Sequence, residues 1–518
     1  MDAVDEAHAV DAVDEADAVA RRNARDGRLL QKVTFQFKFA PIRLTRARVR
    51  RAVRDRVPTT KDAMTNASTN AERPPRATTA VVVMGDFGHS PRMQYHALSL
   101  ADDADRDVVV VSTRGTTPIR EIVEHERVRR VEVTTGEWSM TANWPTALAL
   151  IARAAAQCAH LLYALLTMRP RPREVLIQNP PCIPTFFACG LACSLRGMRM
   201  VIDWHNLGYT LFGLKHGRAS RATKFCEWYE RTLGAYWPAK HMCVTNAMRD
   251  FLREEFGIED AVVVKDKAAD RFRDAAAVAE GPRAFWTRER PAAALRASPV
   301  ARENDVCDRF LKGTHACMTK NKPRFVVSST SWTPDEDFDV LLNAAVEYDE
   351  RSRRHKETDV AKYPDLVVII TGKGPQREMY ERKMNELTLE RVAFRTVWLH
   401  PDDYPGALAN AHVGVCLHTS SSGLDLPMKV LDMFGASLPV LAARYDVVRE
   451  LVSEGVDGVL FGSYLELADA LVKLCHGHRL VLQGLKFGAA ERGKETWREN
   501  WRATAAPLFA ETRQSMYE

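Results

Sequence analysis

Between Val413 and Leu441 the chain reads VGVCLHTSSSGLDLPMKVLDMFGASLPVL. An apolar run (Val413 to Leu417), a loop of Ser and Gly (Thr419 to Gly423), a helix opened by Pro427 and a second apolar run (Pro439 to Leu441) predict a βαβ unit with parallel strands. That unit commits the chain to an α/β architecture, and it also makes an anion site. Small residues after a strand let backbone N–H groups approach a ligand closely, and the helix N-terminus that follows carries partial positive charge. Lys429 stands one turn into the helix. Asp432 follows three residues later on a neighbouring part of the same face, where a carboxylate accepts two hydrogen bonds from a ribose diol. A cation for phosphate and an acid for a diol describe a sugar-nucleotide site, although the same two residues also fit an ordinary solvated helix.

Composition bounds the rest. At 518 residues the chain exceeds the size of a single core, so two domains plus tails are expected. The apolar fraction of 46% and charged fraction of 27% are those of a globular protein. A net charge of +6 suits phosphate-bearing ligands or an anionic membrane face and falls short of a nucleic-acid signature. The ten cysteines are scattered without a CxxC pair, so neither a zinc site nor a disulfide scaffold is indicated, and reduced, cytosol-facing thiols are the simpler reading.

Residues 1–79 read as a tail and linker: the near repeat DAVDEAHAV/DAVDEADAV, an Arg-rich run, then Thr, Asn and Pro. Residues 80–273 form a first Rossmann-like domain. Val81 to Met84 is its first strand, Gly85 to His89 the loop, and Ser90-Pro91 an N-cap and N1 pair. Arg92 in the first helical turn is placed to clamp a pyrophosphate. Asp86 is placed to act as a base or, equally, to satisfy loop N–H groups. Asp203-Trp204-His205-Asn206 ends a later strand, where open α/β sheets bind ligands. Pro145 to Met168 is long and apolar enough to span a bilayer, but Arg153 and His160 favour a helix lying on a membrane or buried in the domain. Residues 274–322 lack a period and read as the domain connection with extra loop material. Residues 323–480 form the second domain. Its first loop, Ser329 to Thr333, precedes a helix led by Pro334 and the acids Asp335, Glu336 and Asp337. Residues 481–518 carry Trp497 and Trp501 at i, i+4.

The segment HTSSSGLDLPMKVLDMFG is similar to the donor-site segment of the chitobiosyldiphosphodolichol β-mannosyltransferases, glycosyltransferase family 33. Four further blocks resemble the same family, in its order: VVVMGDFGHSPRMQYHALSLA, VIDWHNLGYT, CVTNAMRDFL and SSTSWTPDEDFDVLLNAA. The resemblance implies a GT-B fold, two Rossmann-like domains facing a cleft, with a C-terminal helix crossing back to the first. It implies transfer of mannose from GDP-mannose to dolichol-diphosphate chitobiose, with inversion to a β1,4 link. The donor would be held by Ser331, Trp332, Ser421, Ser422, Gly423, Asp425, Lys429 and Asp432, with Trp398 near the base. The acceptor side would use Gly85, Gly88, Ser90, Arg92, Asp203 and Asn206, with Asp86 as the base and His205 as the alternative. No tightly bound cofactor and no metal site are expected, and the need for a divalent ion is left open. The implied location is the cytosolic face of the endoplasmic reticulum membrane, with other lipid-linked-oligosaccharide mannosyltransferases as further partners. Family members usually carry a membrane-anchoring helix ahead of the first block, and no run of about 20 apolar residues occurs in the first 80 here. Where the family usually has a Pro-Pro pair, Ala268-Ala269 stands instead. Two other readings fit the motifs: a different GT-B sugar-nucleotide transferase, and a catalytically silent binding protein of that fold.

Overall fold

The computed structural model describes residues 76–133, 146–313, 322–354, 363–477 and 479–510, all within one compact unit, Ala71–Glu518. The expectations for the acidic repeat, the Arg-rich run and most of the linker fall outside the described residues.

Near-continuous apolar runs become strands covered on both faces. DVVVVST and LVVIIT, for instance, are buried almost throughout. Seven strands make the first sheet: β1 (Thr78–Asp86), β2 (Asp107–Thr113), β3 (Val128–Glu132), β4 (Glu174–Asn179), β5 (Arg199–Trp204), β6 (Ala239–Cys243) and β7 (Ala261–Val263). Six make the second: β8 (Arg324–Ser329), β9 (Leu366–Thr371), β10 (Val392–Val397), β11 (Val413–Cys416), β12 (Val440–Ala443) and β13 (Gly458–Phe461). Their orders are β3-β2-β1-β4-β5-β6-β7 and β10-β9-β8-β11-β12-β13, and the paired strands are parallel. Both are doubly wound, with the order reversing between β1 and β4 and between β8 and β11. Those reversals open the crevices in which such sheets bind ligands.

One face of the first sheet is covered by the helix Pro91–Asp102 together with the C-terminal helices Trp497–Thr504 and Ala506–Phe509, whose Trp501 and Phe509 are buried there. The other face carries the helices Thr146–Thr167, Thr185–Arg196 and Asn246–Phe256. Thr146–Thr167 lies along this face with Leu161 and Leu165 fully buried, while Leu148, Leu150, Ile151 and Tyr163 on the same helix are exposed.

Two segments differ from the sequence reading. Residues 274–322 hold the greater part of four helices, Asp270–Ala277, Pro282–Trp286, Glu289–Arg296 and Val306–Leu311, where loop material was expected. At five to eight residues each, they are shorter than the window in which a helical period shows. Tertiary packing holds them: Trp286 stacks on Phe325 at 5.9 Å and Phe310 meets the same ring edge-on at 5.0 Å. The helix expected at Pro334 begins instead at Phe338. Asp335 and Glu336 therefore lie in a turn, with Glu336 bridged to His418 and only 2% exposed.

The C-terminal return to the first sheet depends on Trp501, which is fully buried and donates from Nε1 to His96 Nδ1 at 3.0 Å. Replacing it by Ala is expected to lower unfolding stability by about 3–5 kcal/mol, read from the shift of a urea midpoint. A loss under about 1 kcal/mol would mean that this helix is not part of the N-terminal core.

Candidate active site

The wall formed by the first sheet starts at the end of β1. The Asp86 carboxylate accepts from Gly88 N at 2.9 Å and from Thr116 N at 3.0 and 2.9 Å, and His89 Nδ1 lies 2.9 Å away. The loops after β1 and β2 are pressed together so closely that a Cβ on Gly88 would collide with Thr116, and one on Gly115 with Asp86 itself. Burial opposes ionisation of Asp86, but the Thr116 and Gly88 donors and His89 outweigh it and hold the carboxyl below its usual range. A carboxylate saturated in this way is a poorer base than a free one. Gly85 borders open space. Ser90 occupies the N-cap position, yet its hydroxyl donates to Gln178 Oε1 at 2.8 Å and caps nothing.

Arg92 does not stand free for a pyrophosphate. Its guanidinium is 4% exposed and grips Asp203 with two bonds, Nε at 2.8 Å and Nη2 at 2.9 Å, while Nη1 donates to Asp266 at 2.7 Å and to the Val264 carbonyl at 2.8 Å. A buried cation needs such partners, because breaking the pair would leave an uncompensated charge. Asp203, fully buried, is likewise removed from direct contact with an acceptor. It also accepts from His205 Nε2 at 2.7 Å, with His96 Nε2 3.1 Å from the same oxygen. Burial alone would raise its pKa, but Arg92, His205 and His96 hold it well below the carboxylate range. An ionised, acceptor-only Asp203 requires the proton on His205 Nε2. The lone pair of neutral His205 is then on Nδ1, which has no hydrogen-bond partner among the described residues, and the side chain is 19% exposed.

The next residue reaches the opposite wall. Asn206 Nδ2 and Thr210 Oγ1 both lie 3.5 Å from Ser421 Oγ, and Thr245 Oγ1 donates to the Leu424 carbonyl at 2.6 Å. Glu450 closes the same boundary by accepting from Asn246 N and Ala247 N, each at 2.9 Å, so an acid of the second domain caps a helix of the first.

On the second wall, buried Glu336 is the hub. Its Oε2 accepts from Thr330 Oγ1 at 2.5 Å and Ser331 N at 2.8 Å, and its Oε1 pairs with Lys429. Lys429 is thereby fixed in direction with ammonium donors to spare. Ser331 is exposed beside it. Trp332, expected at the donor, turns away. Its side chain is fully buried, stacks on Phe338 at 4.5 Å and donates to the Gly372 carbonyl at 3.3 Å. Gly372, at φ +152, and Gly374 allow that approach, since a Cβ on either would collide with the Thr330 or Ser331 carbonyl. In the Ser loop, Asp425 Oδ1 accepts from Ser420 Oγ and, at 3.3 Å, from Ser422 Oγ, while Gly423 turns at φ +76. Asp432 sits half-buried beside Tyr404, whose hydroxyl also bonds Ser329 Oγ at 2.9 Å. Burial raises its pKa to about 7 against the pull of Arg271 and Tyr404. Trp398 is 55% exposed at the end of β10, with Lys373 Nζ 4.2 Å over its ring.

Sequence reasoning missed Glu336 and His418. His418 Nδ1 is 2.8 Å from Asp335, and Nε2 is 3.9 Å from Asp425. Burial lowers its pKa, but the two carboxylates raise it further, to about 9, so it is an imidazolium at neutral pH. Its place directly after β11, at the order reversal, was the available signal. Glu336 offered none, since its burial depends on Lys429 arriving from another helix. Among the described residues, no group of three His, Cys, Asp or Glu side chains is arranged to hold a metal.

Comparison with known proteins places the fold that carries these residues. Glycosyl transferases group 1 match residues 323–476. UDP-glycosyltransferase TURAN of Arabidopsis thaliana is 41% identical, covering 84% of this chain and 98% of that protein. Chitobiosyldiphosphodolichol β-mannosyltransferase of Homo sapiens is 36% identical (83% of this chain, 92% of the relative), and that of Mus musculus 35% (84% and 89%). Among solved structures, WaaG, a glycosyltransferase involved in lipopolysaccharide biosynthesis, superposes with a TM-score of 0.53 at 14% identity over 84% of this chain and all of that one. Anabaena HepE with UDP-glucose gives 0.54 at 14%, covering 82% and 98%. At such identities the structural likeness speaks for the fold.

His418 has a folded pKa near 9 against a reference of 6.5, so the stability it contributes is complete below pH 6.5 and lost as pH rises through 9. The loss is on the order of 3 kcal/mol. His418→Gln should remove that decline from a urea-stability series; an unchanged slope would place the imidazolium elsewhere.

Proposed function

The chain belongs to the chitobiosyldiphosphodolichol β-mannosyltransferase family, and from that membership we propose the division of labour in its cleft. The enzyme is a glycosyltransferase that places a mannosyl group on lipid-linked chitobiose, using a sugar nucleotide as co-substrate. The donor is GDP-mannose, and the linkage formed is β1,4 with inversion at the anomeric carbon. Because the acceptor is a lipid, the reaction takes place at a membrane, and we assign it to the cytosolic face of the endoplasmic reticulum.

The observation that carries the reading is His205. It is backed by a fully buried carboxylate at 2.7 Å and is followed directly by Asn206, which reaches across to Ser421 in the Ser loop. An inverting transfer needs a group to take the acceptor hydroxyl proton as that oxygen attacks the anomeric carbon. His205 Nδ1 takes the proton, the new C–O bond forms, and the bond to the diphosphate breaks with its electrons leaving on the phosphate. Ionised Asp203 holds the ring and stabilises the imidazolium that results. Lys429, the His418 imidazolium and the Ser421–Gly423 loop face the departing charge. Asp432 receives the ribose diol, and Trp398 with Lys373 borders the base. Asp86, saturated by backbone donors, shapes the acceptor loop alongside Gly85, Gly88 and Ser90.

In His205→Gln, turnover should fall by about 10² to 10⁴ with donor binding retained, while Asp86→Asn keeps most of its turnover. The reverse result would return the base to Asp86. Transfer assays with GDP-mannose and with UDP-sugars against a chitobiosyl-diphosphate lipid test the donor. Preference for a UDP-sugar, the nucleotide named for the Arabidopsis relative, would overturn GDP-mannose.

Asp432→Ala should weaken GDP binding by about 1.5–3 kcal/mol. Because only the ionised carboxyl accepts both diol bonds and its pKa is near 7, affinity measured by calorimetry should rise about tenfold from pH 6 to pH 8. A flat profile, or unchanged affinity in a folded variant, removes Asp432 from the site.

A further inference from the structure

The helix Arg221–Tyr236 is built inside out. Its buried positions are Thr223, Glu230 and Gly234, while Phe225, Trp228 and Tyr236 stand 55%, 58% and 69% exposed. At 3.6 residues per turn, Arg221, Phe225, Trp228 and Tyr236 share one face, opposite Glu230. Packing accounts for the inner face. A Cβ on Gly234 would stand 2.8 Å from the Trp204 ring. Glu230 caps the helix Gly208–His216, accepting from Gly208 N at 2.9 Å and Tyr209 N at 3.0 Å. Among the described residues the outer face stays open to solvent, with the Phe225 and Trp228 rings 5.8 Å apart.

The neighbouring helix extends this surface with Leu211 and Leu214, 41% and 57% exposed. Lys215, Arg218, Arg221 and Lys224, on the same two helices and the link between them, are all exposed. Between Gly208 and Tyr236 the acids are Glu227 and the buried Glu230. On the same side of the sheet, the helix Thr146–Thr167 turns a further apolar stripe outward, Leu148, Ile151, Tyr163 and Leu166. Arg218 ties the surface to the cleft, its Nη2 lying 3.4 Å from the Ser421 carbonyl oxygen.

We infer that this face seats the enzyme on an anionic bilayer, with Phe225, Trp228 and the two leucines at headgroup depth and the four cations on lipid phosphates. Charge decides the occupant: exposed aromatic and cationic side chains on the same two helices match the headgroup layer, whose apolar interior and anionic surface are both supplied by one ligand. The inference rests on the proposed lipid acceptor, whose diphosphate has to enter the cleft while its tail stays in the membrane, and a seat bordering Ser421 lets it do so.

The test uses the full-length chain, without substrates, sedimented with vesicles of phosphatidylcholine alone or with about 30% phosphatidylserine. Binding to the anionic vesicles should fall at least tenfold or so in the double variant Phe225→Ser, Trp228→Ser, and about fivefold in each of Arg221→Ala and Lys224→Ala. Transfer to a chitobiosyl diphosphate bearing a short, soluble lipid should be unchanged in all three. Equal binding by wild type and variants overturns the inference, as it would if other parts of the chain carried the attachment. Equal binding to neutral and anionic vesicles also overturns it, as does a wild-type dimer that the double variant dissolves, since the face would then be a self-interface. Binding to anionic vesicles that the variants lose, in a wild-type chain that transfers nothing to the soluble acceptor, supports this surface and contradicts the proposed reaction.

Discussion

The first half of the molecule is organised around one buried carboxylate. Asp203, at the end of β5, is held by Arg92 from the first long helix, and Arg92 in turn reaches the Val264 carbonyl and Asp266 where the chain leaves β7. His96 connects the same carboxylate to Trp501 on the helix returning from the far end of the chain. Four distant parts of the sequence thus meet at one charge taken out of water. The desolvation cost is high, so the arrangement holds only while every partner is present. Its chemical consequence is that His205 is presented in a single tautomer beside the cleft.

The second half repeats the idea with different residues. Glu336 is buried and fixes Lys429, and Asp335 with Asp425 fixes His418 as a cation. In both halves, a cation that a motif would aim at phosphate is first held by an acid of the protein. Arg92 is wholly consumed by this pairing, whereas Lys429 and His418 are oriented by it, so the two loops differ in the charge they would offer a diphosphate in the proposed reaction. In the proposed reaction, charges held in advance in this way need no rearrangement as the leaving group develops its own.

Much of this was legible beforehand. The Val413–Leu441 unit and the strands of Val, Ile and Leu follow from runs of apolar residues suited to a doubly covered parallel sheet, whereas the strand order and its two reversals came from the structure. The resemblance of five ordered blocks pointed to the same family as the relatives that match most of the chain. Side-chain direction was less legible. Trp332 sits in the very loop expected at the donor, yet its ring packs into the core behind it. Ser90 has the position of a cap and spends its hydroxyl on Gln178. The acids after Pro334 looked like the start of a helix and became a turn whose Glu336 points inward. In each case the local pattern was satisfied by two geometries, and a partner at least 40 residues away selected between them for Trp332, Ser90 and Glu336 alike through Gly372, Gln178 and Lys429.

The sequence by itself determined the α/β class, the two loops that follow β1 and β11 and the types of residue placed in them, because strand burial, small-residue loops and helix openings are properties of contiguous residues. Only the tertiary structure decided which of those residues face a ligand. Ionisation and orientation depend on what lies within a few ångströms, and those neighbours come from elsewhere in the chain: Arg92 on Asp203, Thr116 on Asp86, Asp335 on His418 and Tyr404 on Asp432. A pattern read along one dimension locates the loop; the charge state and the free lone pair are set in three.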